Sequence, residues 1–184
     1  DVTSNKIKEI FYGKADIEKA FSFLFFRQNN SVQQLIHELK YKSNEEIGTF
    51  FGTWIGSYLN DLNALDTIDA VVPVPLHPRK LKSRGYNQVT KLALNISKKL
   101  DKPFVENLLL RVNNSKTQTL KSRFDRFSNS KTKFFINLNE HNNYKHILLI
   151  DDVITTGATL TACAQEIQNK LNAKVSVVTL AYTE

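Results

Sequence analysis

The apolar residues of this chain follow two alternating periods, one typical of strands and one typical of amphipathic helices. Compact apolar runs predict strands, and apolar residues spaced three and four apart predict helices. The expected strands cover residues 7–12, 20–26, 68–74, 104–112, 134–136, 147–150 and 175–180, and the expected helices cover residues 31–39, 44–59, 88–100 and 159–171. Strands that alternate with helices favour an α/β fold with a mostly parallel central sheet and helices on both faces.

Three further expectations follow from the same pattern. The strands at residues 7–12 and 20–26 are close enough along the chain to form a hairpin. The helix at residues 44–59 carries an aromatic stripe, which we expect to pack in the core. Residues 113–130 are polar and basic and lack apolar periodicity, so they are expected to form a loop.

The most informative segment follows the apolar strand at residues 147–150. Two acids, Asp151 and Asp152, come directly after that strand, and a helix follows the turn Val153, Ile154, Thr155, Thr156, Gly157, Ala158 and Thr159. Ligands of open α/β sheets bind beyond the carboxyl ends of the strands. The free N–H groups and positive dipole of a helix N-terminus suit a phosphate, and Gly157 allows the positive φ that such a turn requires. The segment predicts a site for a sugar phosphate.

Two other interpretations of the acid pair remain open at this point. The acids also fit a bare Mg²⁺ site, or side chains that bond backbone N–H groups and stabilise a turn. The second acidic motif of a P-loop NTPase is excluded, because the chain has no G-x-x-x-x-G-K-[ST] loop.

A second candidate element follows the strand that ends at Pro73 and Pro75. Four cations lie within six residues, at Arg79, Lys80, Lys82 and Arg84. Their density beside a strand end suits a diphosphate, and the guanidinium of Arg84 can bind it with two hydrogen bonds. The alternative is a solvated basic surface. We expect His77 to bond the backbone at this turn rather than to act in catalysis.

Charge and composition narrow the class of protein. The net charge is +7, and residues 77–133 hold 15 Lys and Arg against 3 Asp and Glu. Such an excess favours a polyanionic ligand, either pyrophosphate or nucleic acid. The single cysteine, Cys163, excludes an internal disulfide and a cysteine zinc cluster, and its place on an apolar helix face predicts a core thiol. No apolar run is long enough to span a membrane and no signal peptide is visible, so a cytoplasmic protein is expected.

The acid–threonine segment resembles the binding motif for phosphoribosyl pyrophosphate (PRPP) in type I phosphoribosyltransferases. Other segments extend the likeness to the ComF family of competence proteins, namely Leu39–Tyr41, Pro73–Leu76, Arg84–Gln88, Arg111–Gln118 and Arg126–Asn129. The resemblance implies a phosphoribosyltransferase-like core at residues 61–184 and a small hood-like subdomain at residues 1–60, both within one compact domain. Members usually begin with a four-cysteine zinc ribbon, which this sequence lacks.

The resemblance also implies roles for individual residues. Asp151 and Asp152 would hold the ribose and, directly or through water, Mg²⁺, while Val153, Thr155, Thr156, Gly157, Ala158 and Thr159 would bind PRPP through its 5′-phosphate. Pyrophosphate would meet Arg79, Lys82 and Arg84, with Arg84 and both acids catalytic. Arg111, Arg123 and Arg126 would belong to a lid. The implied reaction transfers phosphoribosyl to an unknown nitrogen acceptor. The alternative is a non-catalytic accessory protein of DNA uptake that binds PRPP and single-stranded DNA, and a homodimer is a further expectation.

Overall fold

The computed structural model describes residues 2–27, 30–41, 45–113, 132–140 and 143–183. These ranges contain six α-helices, one short 3-10 helix (Leu138–Glu140) and six strands. The helices are α1 (Val2–Glu9), α2 (Ser31–Tyr41), α3 (Glu45–Asp61), α4 (Pro78–Arg84), α5 (Thr90–Leu100) and α6 (Ala158–Leu171). The strands are β1 (Ala20–Phe25), β2 (Ala70–Pro73), β3 (Leu109–Asn113), β4 (Thr132–Ile136), β5 (His146–Ile154) and β6 (Lys174–Tyr182).

The centre of the fold is a four-stranded parallel sheet with the strand order β1-β6-β5-β2. A separate antiparallel pair is formed by β3 and β4. The parallel sheet confirms the predicted α/β class. Strand β1 comes from the first 60 residues yet lies beside β6, and the subdomain boundary at residue 60 stays a prediction.

Each face of the sheet is covered by its own hydrophobic core. Ile147 and Leu149 point into a core shared with α1 and α6, while Leu148 and Ile150 point into a core shared with α2, α3 and α5. Successive side chains of a strand point to opposite faces. A strand that is buried on both faces must therefore be apolar at every position, which explains the unbroken apolar run before the acids.

Helices α3 and α5 lie unusually close together because α3 presents a row of glycines. A Cβ atom placed on Gly52 would stand 2.6 Å from the Leu92 carbonyl oxygen, and one on Gly56 would stand 2.7 Å from Lys99 Cβ. These positions leave no room for a side chain. The contact fixes α5, and with it the polar turn that precedes α5.

The prediction of a strand at residues 7–12 is wrong. This part of the chain forms the end of α1 and the turns that follow it. Ile7 and Phe11 are both buried, and their spacing of four residues suits one side of a helical turn rather than one face of a strand. The predicted hairpin is therefore absent, and β1 pairs in parallel with β6.

The aromatic stripe of α3 also differs from its prediction. Phe50, Trp54 and Tyr58 are 66%, 46% and 44% exposed. Helix α3 already buries its glycine row against α5, and it buries Ile55 and Leu59 in the core. The three aromatic residues occupy the remaining side of the helix. Among the described residues, no helix is both long and apolar enough to cross a membrane.

Candidate functional site

The two acids of the motif lie inside strand β5, which continues beyond them to Ile154. Asp151 is opposite Thr179 of β6 in the register. Because Asp151 and Asp152 are neighbours on a strand, their side chains point to opposite faces of the sheet. The two carboxylates therefore have different surroundings, and each is described separately.

Asp152 is 5% exposed and sits in a network of three donors. Its Oδ1 accepts a hydrogen bond from the backbone N–H of Val153 at 2.7 Å. Its Oδ2 accepts one from Gln88 Nε2 at 2.9 Å and lies 3.0 Å from Lys40 Nζ of α2. Burial of a carboxylate is costly unless it is paired and hydrogen-bonded, and this one has three partners.

The network continues from Gln88 to the end of the basic helix α4. The guanidinium of Arg84 donates a hydrogen bond to Gln88 Oε1, so one amide side chain joins Arg84 to Asp152. The intervening turn is anchored as well. Tyr86 donates its hydroxyl hydrogen to the Leu39 carbonyl at 2.7 Å, and Asn87 Nδ2 donates to the Val74 carbonyl at 3.0 Å.

Asp151 faces the other layer of the molecule. It lines a small cavity of about 70 Å³, and Asp152 is not among the lining residues, which are Asp151, Val153, Ile154, Thr155, Thr156, Gly157, Ala158, Thr159 and Leu160. Gly157 has φ +73° at the start of α6, as its place in the motif predicts. We call this cavity the threonine cradle. It combines the first turn of a helix with a carboxylate, which is the donor and acceptor set of a sugar phosphate site.

The surroundings of Asp151 disfavour the charged form of its carboxyl group. Burial raises its pKa well above the ordinary value, and the nearby Asp152 carboxylate raises it further. A hydrogen bond from the Asp152 backbone N–H at 2.8 Å opposes the shift, as does the charge of Lys40. Asp151 is half-buried and no cation among the described residues contacts it directly, so its charge is costly for the fold, which is typical of a group kept for binding or catalysis.

The basic segment forms the short helix α4 and not an open turn. His77 accepts a hydrogen bond on Nδ1 from the Arg79 N–H at 3.2 Å, which confirms the expectation that it bonds the backbone. Arg79 and Lys82 are exposed, and Arg84 is half-buried. Gly85, with φ +84°, ends the helix. Of these cations, Arg84 is joined to Asp152 through the side chain of Gln88.

A larger groove of about 580 Å³ runs beside α4. One end of the groove is lined by Pro75. In the register of β2 and β5, Pro73 lies beside Ile150, so Pro75, two residues further on, lies at the height of Asp152. Its walls are partly apolar and partly polar, and they include Leu76, Leu81, Tyr86, Thr90, Glu106, Leu110 and Arg111. Thr90 holds the carboxylate of Glu106 by a hydrogen bond of 2.9 Å.

The predicted lid is described only at its base. Arg111 lies on β3, where its guanidinium sits 5.2 Å from the centre of the Phe134 ring. Its Nε is buried and has no hydrogen-bond partner within the described ranges. Arg123 and Arg126 lie outside the described residues, as does most of the expected loop at 113–130.

The sequence predicts that both Asp151 and Asp152 bind Mg²⁺. The structure surrounds the two carboxylates differently, so they are not equally suited to that role. No group of three or more His, Cys, Asp or Glu side chains that could hold a metal occurs within the part of the chain that is described. The oxygens of Asp152 are occupied by the three donors, whereas Asp151 faces the cradle. Mg²⁺ commonly uses one or two carboxylates together with substrate phosphates and water, and Asp151 fits such a role.

Comparison with known proteins decides the family. The chain is 31% identical over 157 residues to DNA utilization protein YhgH of Escherichia coli, covering 83% of this chain and 67% of that protein. The chain belongs to the ComF family. It is also 40% identical over 93 residues to competence protein F of Haemophilus influenzae, covering 50% of this chain and 41% of that protein. Competence protein ComFC of Bacillus subtilis is 32% identical over 149 residues, covering 77% and 58%. No family model matches the chain.

Solved structures add a weaker likeness to this ComF-family chain. Adenine phosphoribosyltransferase of Trypanosoma brucei is 15% identical with a TM-score of 0.49, covering 88% of this chain and 83% of that one. The enzyme of Leishmania tarentolae is 13% identical with a TM-score of 0.47, covering 88% and 91%. Since both scores are below 0.5, the fold class rests on the parallel sheet of this chain itself.

Two residues of the site were missed as functional candidates in the sequence. Lys40 and Gln88 both contact Asp152, although each stood inside a segment that resembles the ComF family. The resemblance to the ComF family could have pointed to both residues. Their contact with Asp152 could not be read from the sequence, because it requires the fold to bring α2 and the turn before α5 next to β5.

Proposed function

We propose that this ComF-family protein binds PRPP and transfers its phosphoribosyl group to a nitrogen acceptor, with release of pyrophosphate. The observation that carries the proposal is that Asp151 lines the threonine cradle at the start of α6. A helix N-terminus accommodates the 5′-phosphate. The carboxylate accepts hydrogen bonds from ribose hydroxyls.

The cations of the site act on the leaving group. The acceptor nitrogen forms a bond to the anomeric carbon as the bond from that carbon to pyrophosphate breaks, and pyrophosphate leaves with the electron pair. Negative charge grows on pyrophosphate in the transition state, so a fixed guanidinium such as Arg84 lowers the barrier more than it strengthens substrate binding. Asp151 stabilises positive charge that develops on the ribose ring.

Magnesium fits this scheme as a companion of the substrate. When bound, Mg²⁺ would neutralise charge on pyrophosphate. In this chain Asp151 would hold it, directly or through water, while Asp152 remains engaged with Lys40 and Gln88.

Thermal unfolding tests the ligand assignment. We expect millimolar PRPP with Mg²⁺ to raise the melting temperature of the wild-type protein, and we expect Asp151→Asn or Thr156→Ala to remove most of that rise. Thr53→Ala on α3 is the control and should keep the rise. A wild-type melting curve that PRPP leaves unchanged would contradict the assignment. Release of pyrophosphate with a panel of nucleobases and amines then tests transfer itself.

Single-stranded DNA binding without turnover is the second candidate function. The basic excess at residues 77–133 favours it, because phosphate contacts dominate nucleic-acid affinity. The exposed Phe50, Trp54 and Tyr58 offer stacking surfaces, although α3 itself contains no Lys or Arg. A labelled oligonucleotide should bind at low salt and dissociate as salt rises. Absence of binding at low salt would exclude this candidate.

A further inference from the structure

We propose that the two acids of the motif have separate roles, and that Asp152 is a positioning residue that couples Arg84 to the threonine cradle through Gln88. Lys40 holds Asp152 in place in this arrangement. The inference rests on the proposed function, since it assigns pyrophosphate to the Arg84 side and ribose phosphate to the cradle. It predicts that the two parts of PRPP bind interdependently.

The first step concerns what each carboxylate can still accept. Val153 occupies Oδ1 of Asp152, and Gln88 and Lys40 share Oδ2. At 5% exposure Asp152 has little surface left for a ligand. Asp151, in contrast, lines the cradle. Contact with the ribose therefore belongs to Asp151.

The second step concerns the direction in which each acid points. Asp152 contacts Lys40 of α2 and Gln88 of the turn before α5, whereas Asp151 lines the cradle at the start of α6. The two carboxyl groups interact with each other directly, and the backbone N–H of Asp152 donates a hydrogen bond to Asp151 Oδ1 at 2.8 Å. A change in the position of Asp152 therefore shifts Asp151 and the turn that follows it.

The third step joins the basic helix to this pair. Gln88 uses its amide oxygen for Arg84 and its amide nitrogen for Asp152. A ligand that draws Arg84 toward a diphosphate also reorients the Gln88 amide, and so changes the hydrogen bond to Asp152. Coupling of this kind is reciprocal, so each ligand strengthens the binding of the other by the same factor.

Titration calorimetry on the wild-type protein tests the coupling directly. The affinity of ribose 5-phosphate is measured with and without saturating pyrophosphate and Mg²⁺. We expect pyrophosphate to tighten ribose 5-phosphate binding by about fivefold or more, the lower end of ordinary coupling factors. The reverse titration should give the same factor. Equal affinities in the two conditions would overturn the inference while leaving the proposed function intact.

Substitutions then locate the coupling in the named residues. Gln88→Met keeps the length of the side chain but removes both hydrogen bonds, so each ligand should still bind while the coupling factor falls to about one. Lys40→Met should reduce the factor, and Lys40→Arg should restore it. Gln34→Met, on the exposed side of α2, is the matched control and should leave it unchanged. Coupling that survives in both Gln88→Met and Lys40→Met would overturn the inference. Failure of the wild-type protein to bind either ligand would overturn both this inference and the proposed function.

Discussion

Lys40 Nζ lies 3.0 Å from Asp152 Oδ2 and joins helix α2 to the central strand β5. The two residues are 112 positions apart in the sequence, yet their contact is part of the innermost hydrogen-bond network of the site. A cation from the N-terminal part of the chain thus pairs with an acid of the acid–threonine motif. Loss of the Lys40 charge should therefore destabilise the protein, whereas loss of the Asp151 charge should stabilise it.

Removal of the Lys40 charge should destabilise the protein. Lys40→Met leaves the buried Asp152 carboxylate without its cation, and the loss is expected to be about 1–3 kcal/mol. Urea unfolding at neutral pH measures it. Lys98→Met, at an exposed position of α5, should stay within about 0.5 kcal/mol of the wild type. Equal effects at the two lysines would contradict the structural role of the Lys40–Asp152 contact.

Asp151→Asn should have the opposite effect on the unliganded protein. Burial, followed by the charge of Asp152, raises the pKa of Asp151 in the folded state. The folded state therefore holds this proton more tightly than the unfolded chain, and stability falls as pH rises above the unfolded pKa. At pH 7 the substitution removes that cost, and we expect a rise in melting temperature of about 2–4 °C, the change that about 1 kcal/mol gives in a chain of this size.

The same variant should lose the stabilisation that we propose PRPP to confer. A gain in stability combined with a loss of binding is the expected pattern for an acid retained for function. Melting curves with and without PRPP at pH 7 and pH 4.5 check both parts. The gain from Asp151→Asn should be smaller at pH 4.5, and a larger gain there would contradict the assigned direction of the pKa shift.

The glycine row of α3 gives a prediction that is independent of the site. Gly52→Ala places a Cβ atom against the backbone of α5, where the nearest atom is a carbonyl oxygen that cannot rotate away. Overpacking of this kind costs about 1–3 kcal/mol, although alanine favours helices over glycine. Urea unfolding is the measurement. Asn60→Ala, on the exposed end of the same helix, serves as the control and should change stability far less.

The features that could be predicted from the sequence are those in which local chemistry dictates the structure. The apolar run before Asp151 specified a buried strand, and Gly157 adopts the positive φ that its turn requires. At residues 7–12 the roughly alternating polar and apolar residues predict a strand. The two residues that are buried there, Ile7 and Phe11, are spaced four apart, which fits a helical turn. The exposure of Trp54 could not be predicted, since it depends on the close approach of α5 to the opposite side of α3.

In the candidate site, too, some features could be predicted from the sequence and others could not. The acid–threonine segment is continuous in sequence, so the threonine cradle could be anticipated from residue types and their order. The contacts of Lys40 and Gln88 with Asp152 join three distant parts of the chain. Nothing in the local pattern of α2 indicates which buried acid its lysine meets, and only the packing of the layers determines it.

His146, at the opposite end of β5 from the site, gives a pH-dependent prediction. It is 3% exposed, with Nδ1 2.9 Å from the Thr67 hydroxyl and Nε2 2.9 Å from the Ser176 hydroxyl. Burial lowers its pKa below 6.5, although the charges of Glu18 and Asp69 oppose the shift. The unfolded chain therefore takes up a proton on this histidine more readily than the folded protein does. Its contribution to stability is complete above about pH 6.5 and is lost as pH falls through the window below that value.

We expect the urea midpoint of the wild type to fall between pH 7.5 and pH 5.5, and part of that fall to disappear in His146→Gln. The variant should be less stable than the wild type at pH 7.5, because it disturbs two buried hydroxyl partners, and the difference should narrow at pH 5.5. His37→Gln, at an exposed position of α2, is the matched control for replacing a histidine with glutamine and should keep the wild-type slope. A His146→Gln variant whose stability falls with the wild-type slope would show that this buried histidine does not set the pH dependence.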